Sequence, residues 1–371
     1  MDNLTHTLFG LTLARTPLGR AGRGATATLV IASNVPDVDI LSTAGGGVSY
    51  LQWHRGPTHG PLGVVGLGLA TAAAVWAVGR LWDRRAGRDG VDARAAPAPA
   101  FSTLAIVATL GVLFHVLMDF PTSYGTRLLS PFSWRWYAAD VMPIVDVYLL
   151  IALAVGLAFG EISRTSRRRV AAIVLTLMAA NYGLRVVAHR QALALAPRLF
   201  GPLPPPCNPQ PRRSIVDAWP RDGESDVSAG TTCLVEIAAM PTFLSPFRWR
   251  VIADLSNGFE LHDLDVLDAQ FRRDATNGDV FWRRSARYPK QWMAATFTAA
   301  ATRTGGVFLG FSRFPAVRTF TDPGGVTTVR WNDVRFVAGV WPGDVQRRAD
   351  LFSALVRVGP DGRVIEERLG R

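Results

Sequence analysis

Four long stretches of apolar residues constrain the fold of this chain more than any other feature. They cover residues 61–79, 101–120, 141–160 and 170–188, and each contains at most two charged or histidine side chains. A helix needs about 20 apolar residues to cross the hydrocarbon core of a bilayer, so the sequence predicts four transmembrane helices. The alternative, buried helices of a soluble core, is disfavoured because glycine is more frequent in transmembrane helices than in soluble ones.

The N-terminal segment predicts a helical hairpin instead of a further span. Residues 4–15 and 25–33 read as short apolar helices, and the turn between them is rich in glycine and proline. A hairpin returns the chain to the side of the membrane on which it started, so it brings His6 and Asp37 to the same side. A single span would carry three arginines in its middle: Arg15, Arg20 and Arg23.

The arginines of the loops predict how the chain is oriented. Segments 80–94 and 164–169 are rich in arginine, whereas 34–60 and 121–140 contain three arginines between them. Arginine-rich loops stay in the cytoplasm, so the arginine-poor segments and everything after residue 190 are expected outside it. The chain is thus predicted to be a multi-pass membrane protein. No nucleic-acid motif accompanies its net charge of +11, so no nucleic-acid partner is expected, and the oligomeric state stays open.

A change of pattern after the last apolar stretch predicts a second domain. Six prolines between residues 202 and 211 indicate a linker, and short alternating runs follow it. The fold class is therefore an α-helical membrane domain, a helical hairpin plus four transmembrane helices, followed by a small, mainly β extracytoplasmic domain. The boundaries place the membrane domain at 1–190, the proline-rich linker at 191–212 and the β domain at 213–371.

Alternation of apolar and polar residues predicts the strands of the C-terminal domain. Asn257-Gly258 and Asp361-Gly362 predict tight hairpin turns. Cys207 and Cys233, the two cysteines of the chain, either pair in an oxidising compartment or remain two free thiols, and the sequence leaves both alternatives open. The predicted strands are Thr232–Ile237, Arg248–Leu255, Phe259–Val266, Gly306–Phe311, Val326–Val337 and Leu355–Val358.

Histidines and aspartates gather in short motifs on the predicted outer side. His115 and Asp119 are four residues apart and therefore share one helix face. Gly56-Pro57 cannot continue a helix, so His54 and His59 lie in a loop that can fold both rings toward one point. Each motif alone has a plain structural explanation, such as a turn or a hydrogen-bonded pair, but all of them converge on one side. Imidazole nitrogens and carboxylate oxygens are ligands of zinc.

The motif set, taken in order, resembles the YdjM-type inner-membrane proteins, a family described as membrane-bound metal-dependent hydrolases. The resemblance covers residues 1–160. It implies a distant similarity to zinc-dependent phospholipase C and P1 nuclease, all-α enzymes with a metal cluster, and hence a phosphoester substrate. The motifs that carry it are Met1-Asp2-Asn3-Leu4-Thr5-His6, Asn34-x-Pro36-Asp37-x-Asp39, His54-Arg55-Gly56-x-Thr58-His59 and His115-x-x-x-Asp119.

Two further points follow from the resemblance. The family is expected to carry serine after the second histidine of the loop, and this chain has Gly60 there. Asp140 and Asp146 resemble an acidic pair that the family carries after the His-x-x-x-Asp helix. Because Asp146 lies within a predicted span, where ionisable side chains are costly, it is expected to pair with another residue of the site.

The sequence therefore predicts metal-assisted hydrolysis. One or two divalent ions, expected to be Zn²⁺, would lower the pKa of bound water from about 15.7 toward ~7. Asp39 is a bridging or supporting carboxylate, and Asp39 or Asp140 would act as general base. Arg55 would hold a phosphate or carboxylate oxygen. The predicted metal ligands are His6, Asp37, His54, His59, His115 and Asp119.

The predicted position of the site at the outer membrane interface suggests a membrane lipid, or a small-molecule or lipid-linked substrate, that enters sideways. Two other functions remain open. One is a metal carrier or sensor without hydrolytic activity, although four or five spans without an inverted repeat are few for a transporter. The other is a structural membrane protein whose β domain binds a partner.

Overall fold

The computed structural model describes residues 1–85, 100–162, 166–200, 203–207, 216–220, 232–268, 285–337 and 352–370. The chain divides into two compact units. The first comprises Met1–Leu41 and Trp53–Leu184, and the second Ser42–Gln52 and Arg185–Arg371. Three arginines that contribute to the predicted orientation lie outside the described residues: Arg88, Arg94 and Arg164.

The first unit begins with two short helices, α1 (Asn3–Ala14) and α2 (Ala25–Ala32), which pack against each other as the hairpin prediction requires. Asp2 caps α1 by accepting a hydrogen bond from the backbone N–H of Thr5 at 3.0 Å. Two 3₁₀ segments, Pro17–Arg20 and Val35–Gly45, follow α1 and α2 respectively. Helix α3 (Gly46–Trp53), most of which groups with the second unit, then leads into residues 54–60, which we call the histidine loop.

Among the described residues, three helices are long and apolar enough to cross a membrane. They are α4 (Pro61–Arg85), α5 (Phe101–Asp119) and a 34-residue helix, Arg167–Phe200. The third predicted span is a shorter helix, α6 (Val147–Ile162), of 16 residues, which rises only about 24 Å at ~1.5 Å per residue. The 34-residue helix is α7. It contains the fourth predicted span and continues to residue 200, so the predicted linker begins inside this helix.

Close packing at glycines fixes the end of α5 that carries the site. A Cβ on Gly111 would lie 2.7 Å from the Cβ of Ala32, so α5 and α2 touch at this level. A Cβ on Gly68 would lie 2.5 Å from Oγ1 of Thr109, so α4 approaches α5 equally closely. The apolar core among these helices includes Ala72, Leu104, Ala108, Val112 and Val116. At Gly111, two turns before its end, α5 is therefore held against the C-terminal end of α2.

The segment after α5 lies against the histidine loop. A Cβ on Gly60 would lie 1.8 Å from the carbonyl oxygen of Ser130, so the two segments touch through their backbones. A three-residue strand, β1 (Trp136–Ala138), follows, and its Tyr137 exchanges backbone hydrogen bonds of 2.9 Å with Thr126. The segment therefore doubles back over the loop.

The second unit contains two antiparallel sheets of four strands. After a short strand, β2 (Asp217–Trp219), the first sheet has the order β3-β4-β5-β6 and the second β10-β9-β8-β7. Turns at Asn257-Gly258 and Asp361-Gly362 join neighbouring strands, which confirms both hairpin predictions. The strands are β3 (Leu234–Pro241), β4 (Arg248–Leu255), β5 (Gly258–Asp265), β6 (Ser285–Pro289), β7 (Pro315–Thr321), β8 (Thr327–Asp333), β9 (Ser353–Val358) and β10 (Val364–Leu369).

One predicted strand of this unit is wrong. Residues 306–311 belong to a helix, α9 (Arg303–Phe311), which follows a shorter helix, α8 (Ala294–Ala300). Thr302 caps α9 by accepting a hydrogen bond from the N–H of Gly305. Phe308 and Phe311, three residues apart, are both buried, a spacing that fits one helix face. A short 3₁₀ turn, Val334–Phe336, follows β8 within the predicted strand Val326–Val337.

Alternate residues of β4 face two different cores. Trp249 and Val251 pack with the part of α7 from Ala188 to Phe200. Ile252 packs in a separate core with Phe259 and Phe314. This alternation buries both faces of the sheet. Cys207 and Cys233 form a disulfide with a Cα–Cα distance of 4.8 Å. Of the two alternatives, a disulfide or two free thiols, the structure has the disulfide.

Candidate metal centre

Four side chains from distant parts of the sequence meet in the first unit. One ligand atom from each of Asp37, His59, His115 and Asp119 lies within 4.8 Å of all the others. We call these four residues the cluster. The Nε2 atoms of His59 and His115 are 3.3 Å apart, and each lies 3.4–3.7 Å from an oxygen of Asp37 and of Asp119. Two nitrogens and two carboxylate oxygens thus surround one point.

Hydrogen bonds orient both histidines of the cluster. Nδ1 of His115 donates to the carbonyl oxygen of Ser33 at 2.8 Å. This bond places the proton on Nδ1 and leaves the lone pair of Nε2 facing the cluster. Nδ1 of His59 is hydrogen-bonded to the hydroxyl of Thr58 at 2.9 Å. Such partners on the far nitrogen are what metal-binding histidines have.

Burial and neighbouring groups together set the charge states of His59 and Asp37. Burial, together with the nearby His115 and Arg55, holds the pKa of His59 well below its usual range, so this ring is neutral and able to bind a cation. Burial by itself raises the pKa of Asp37, but the hydrogen bond with His115 and the charge of Arg55 outweigh it. The net shift is downward, so Asp37 is ionised.

Asp119 is the most heavily contacted member of the cluster. Its Oδ1 lies 3.3 Å from Nε2 of His6 and forms an ion pair with the α-amino group of Met1. Its Oδ2 lies 3.0 Å from a guanidinium nitrogen of Arg55. The ring of His6 stacks on that of His115 with centroids 3.8 Å apart. His6, a predicted ligand, therefore touches the cluster without being one of its four members.

The other predicted ligand of the loop, His54, lies with Asp39. Nδ1 of His54 is 3.3 Å from Oδ1 of Asp39, and Oδ2 of Asp39 accepts a hydrogen bond from the backbone N–H of Arg55 at 2.6 Å. The same oxygen is 3.8 Å from Nδ1 of His59. Asp39 thus ties the Val35–Gly45 segment to the histidine loop behind the cluster.

Arg55 contacts protein groups on several sides. Its backbone has a φ of 49°, in the left-handed region that few non-glycine residues adopt. The side chain is 4% exposed. One guanidinium nitrogen donates to the carbonyl oxygen of Gly125 at 3.0 Å and to the hydroxyl of Thr122 at 3.3 Å. With its ion pair to Asp119, the guanidinium positions a cluster carboxylate, which differs from the predicted contact with a substrate oxygen.

The remaining predicted acids do not belong to the cluster. Asp140 is buried, with a φ of 53°. Asp146 was expected within a span, but it lies before α6 and accepts a hydrogen bond from the N–H of Leu149 at 2.8 Å, as an N-cap does. Asn181 donates to the same oxygen at 3.3 Å. Asp146 therefore caps α6, and its pairing with a residue of the site stays a prediction.

Sequence reasoning missed several groups at the site. The carbonyl of Ser33 and the α-amino group of Met1 are backbone atoms, and no side-chain pattern reports them. Thr58 and Thr122 could have been found, because each lies one to three residues from a predicted ligand. Gly60, noted as a departure from the resembled family, has a steric reason: the backbone of Ser130 leaves no room for a Cβ.

The helical first unit, with long apolar helices and a buried group of histidines and aspartates at their ends, defines a membrane protein with a possible metal-binding site. Residues 1–192 match the family described as YdjM inner membrane protein. Since this match covers more than half of the chain, the chain belongs to that family, and the resemblance found from the motifs is confirmed.

One curated protein is similar to part of this chain at low sequence identity. The uncharacterized protein YfhP of Bacillus subtilis (strain 168) is 24% identical over 160 residues, which are 41% of this chain and 44% of the relative. The chain thus covers less than half the length of that relative. No solved structure matches the chain.

Proposed function

We propose that this protein is a membrane-bound, metal-dependent hydrolase of phosphoesters. The observation that supports this most is the spacing of the cluster. A tetrahedral zinc ion with bonds of about 2.0–2.1 Å has ligand atoms about 3.3–3.4 Å apart. Five of the six pairs of ligand atoms in the cluster are separated by 3.3–3.7 Å, and the sixth pair, the oxygens of Asp37 and Asp119, lies within 4.8 Å. The donor set therefore fits one Zn²⁺, with Asp37, His59, His115 and Asp119 as its ligands.

The residues of the chain supply the rest of the chemistry. A divalent ion held by these four residues would supply the activation of water for attack on a phosphoester, with the water added to the four protein ligands. Ser33 and Thr58 fix the two imidazoles, and Arg55 fixes Asp119. Asp37, whose side chain is 16% exposed while those of the other three are at most 1% exposed, marks the side from which a substrate reaches the cluster.

The orientation of the chain belongs to this proposal. With the arginine-rich loops in the cytoplasm, the cluster and the second unit lie on the outer side of the inner membrane. The disulfide between Cys207 and Cys233 supports this, because disulfides persist in oxidising compartments. A lipid, a lipid-linked molecule or a small phosphoester outside the cytoplasm is then the substrate.

The test is a metal analysis combined with a hydrolysis screen. The full chain, tagged at its C-terminus because the α-amino group of Met1 lies at the cluster, is purified in mild detergent. Elemental analysis measures bound metal, and a panel of phosphodiesters and phospholipids measures activity. His115→Ala should lose both metal and activity, whereas His189→Ala, whose ring lies by Trp249 in the second unit, should keep both. Metal-free wild-type protein, or activity unaffected by His115→Ala, would refute the proposal.

A metal sensor or carrier without hydrolytic activity is the second proposal, because three of the four cluster side chains are at most 1% exposed and leave little room for a substrate. The same experiment separates the two functions. Bound metal that is lost in His115→Ala, together with no hydrolysis of any phosphoester in the panel, would favour the sensor or carrier.

A further inference from the structure

Large apolar side chains are exposed on the segments that surround the cluster. We call four of them the apolar rim: Trp53, Leu129, Phe132 and Trp134. Their exposed fractions are 44%, 47%, 76% and 41%. All four belong to the first unit. A group of exposed apolar side chains of this size marks an interaction surface, and two of the four are tryptophan.

The apolar rim lies directly on the histidine loop. The rings of Trp53 and Trp134 meet edge to face with centroids 5.5 Å apart. A Cβ on Gly56 would lie 3.4 Å from the ring of Trp134, and Gly60 touches the backbone of Ser130. The rim therefore borders the loop that positions His59.

The histidine loop that the rim borders leads directly into a helix that is long and apolar enough to span a membrane. Helix α4 begins at Pro61, directly after the histidine loop. On its first turns Leu62, Val65 and Leu69 are 58%, 52% and 43% exposed. The exposed apolar surface of α4 therefore begins at the end of the loop that the rim borders, which favours lipid as the common surrounding of both.

The length of α4 from its first residue to Trp82 fits the thickness of a bilayer. Trp82, near the other end of α4, is 68% exposed. The rise from Pro61 to Trp82 is about 32 Å at ~1.5 Å per residue, close to the ~30 Å of a hydrocarbon core. Tryptophan concentrates at both interfaces of a membrane. Trp53 and Trp134 would therefore lie at one interface and Trp82 at the other.

Apolar side chains also flank the accessible member of the cluster. Asp37 lies in the 3₁₀ segment Val35–Gly45. Next to it Val38, Ile40 and Leu41 are 40%, 54% and 70% exposed. The accessible side of the cluster is therefore bordered by groups that prefer hydrocarbon to water.

We infer that the apolar rim and the exposed residues beside Asp37 are immersed in the interfacial layer of the bilayer, in contact with lipid acyl chains. The occupant of this surface is the lipid leaflet itself. Resting on the proposed hydrolase function, the same geometry gives the substrate class: a phosphoester with an acyl or isoprenoid-like apolar part, drawn sideways from that leaflet.

The immersion is measured without any assay of activity. The native cysteines form a disulfide, so Phe132→Cys introduces one free thiol for a nitroxide label in the full chain, reconstituted into phosphatidylcholine vesicles. Collisions with oxygen and with a nickel chelate report lipid and water exposure. Val65→Cys on α4 is the lipid-facing control, and Asp361→Cys, 59% exposed in a hairpin turn of the second unit, is the water-facing control.

The label at residue 132 should match that at residue 65 in its preference for oxygen over the nickel chelate. If it is instead as accessible to the nickel chelate as the label at residue 361, the rim lies in water and the inference is overturned. This result does not depend on whether the protein hydrolyses anything.

The substrate class has its own test. Phe132→Ser is assayed with phospholipid in vesicles and with a water-soluble phosphodiester. The ratio of vesicle to soluble activity should fall at least about tenfold, the factor that corresponds to burying one phenylalanine ring. Phe320→Ser, in the second unit and 68% exposed in the wild type, should leave the ratio unchanged. An unchanged ratio in Phe132→Ser refutes sideways entry. Absence of all hydrolysis in the wild type refutes the hydrolase function and its substrate class. The immersion of the rim is then decided by the accessibility of the nitroxide label alone.

Discussion

At the scale of single residues, two histidines that look equivalent in the sequence differ in their hydrogen-bond partners. His54 and His59 flank the same Gly-Pro pair, and both were predicted as ligands. Only His59 joins the cluster, because the left-handed backbone at Arg55 turns the loop so that His54 meets Asp39. The sequence could identify the residue types and their shared side. It could not tell which ring turns inward, since that depends on backbone angles no motif encodes.

Metal content should distinguish the two histidines. His115→Ala removes a cluster nitrogen and should abolish stoichiometric metal. His54→Ala removes only a support of Asp39 and should keep one metal per chain, with affinity lowered about 10- to 100-fold, as for other supporting partners of metal ligands. Elemental analysis gives the stoichiometry and titration against a chelator the affinity. Loss of all metal in His54→Ala would return His54 to the ligands.

A single added methyl group at Gly60 should destabilise the protein. A Cβ there would lie 1.8 Å from the carbonyl oxygen of Ser130, whereas a Cβ on Gly66 meets nothing within 4 Å. Gly60→Ala should therefore cost about 1–3 kcal/mol, the usual cost of overpacking. Gly66→Ala should not lower stability, because alanine is favoured over glycine in helices. Melting temperatures in the same detergent compare them, and equal melting of wild type and Gly60→Ala would contradict this packing.

At the scale of helices and strands, the apolar patterns located most elements but not every boundary or type. Helix α4 and helix α5 coincide with predicted spans because hydropathy alone decides them. Helix α6 begins six residues later than its apolar stretch, because Asp146 caps it. The sequence predicts a strand at helix α9, since a short apolar run fits either type and the Thr302 cap lies outside that run.

The capping role of Asp146 can be tested apart from the metal centre. Asp146→Ala removes the acceptor for the N–H of Leu149 and should cost about 1 kcal/mol of stability. Bound metal should stay at the wild-type level. Asp119→Ala serves as the comparison and should lose metal. Melting temperature and elemental analysis of the same preparations give both readouts. A loss of metal in Asp146→Ala would place this residue in the site after all.

Strand β5 should make the protein sensitive to acid. Burial lowers the pKa of His262 to about 4, and among the described residues its Nε2 has no hydrogen-bond partner. Between its ordinary pKa of about 6.5 and about 4, the unfolded chain binds a proton that the folded chain does not. The free energy of unfolding therefore falls as the pH drops through this window.

Replacing this histidine should remove part of that acid sensitivity. In His262→Leu, the melting temperature should fall less between about pH 7 and pH 5 than it does in the wild type. All other titratable groups are the same in both proteins, so the difference between the two isolates His262. Parallel pH profiles would show that this ring is not the source.

At the scale of the whole molecule, the sequence predicted a helical and a β part but not their division. Residues 42–52, in the middle of the N-terminal half, group with the second unit. Helix α7 runs through the point where the units divide. Contacts between segments far apart in the sequence decide such groupings, whereas composition reports only local preference.

The orientation of the whole chain decides whether the disulfide forms. If the second unit lies outside the cytoplasm, Cys207 and Cys233 pair there, and both resist alkylation until a reductant is added. A reporter enzyme that folds only outside the cytoplasm should be active when fused after residue 220 and inactive when fused after residue 90, within the arginine-rich loop. Free thiols together with an inactive fusion at 220 would reverse the predicted topology. The cluster would then face the cytoplasm, and lipids of the outer leaflet would no longer be its substrates.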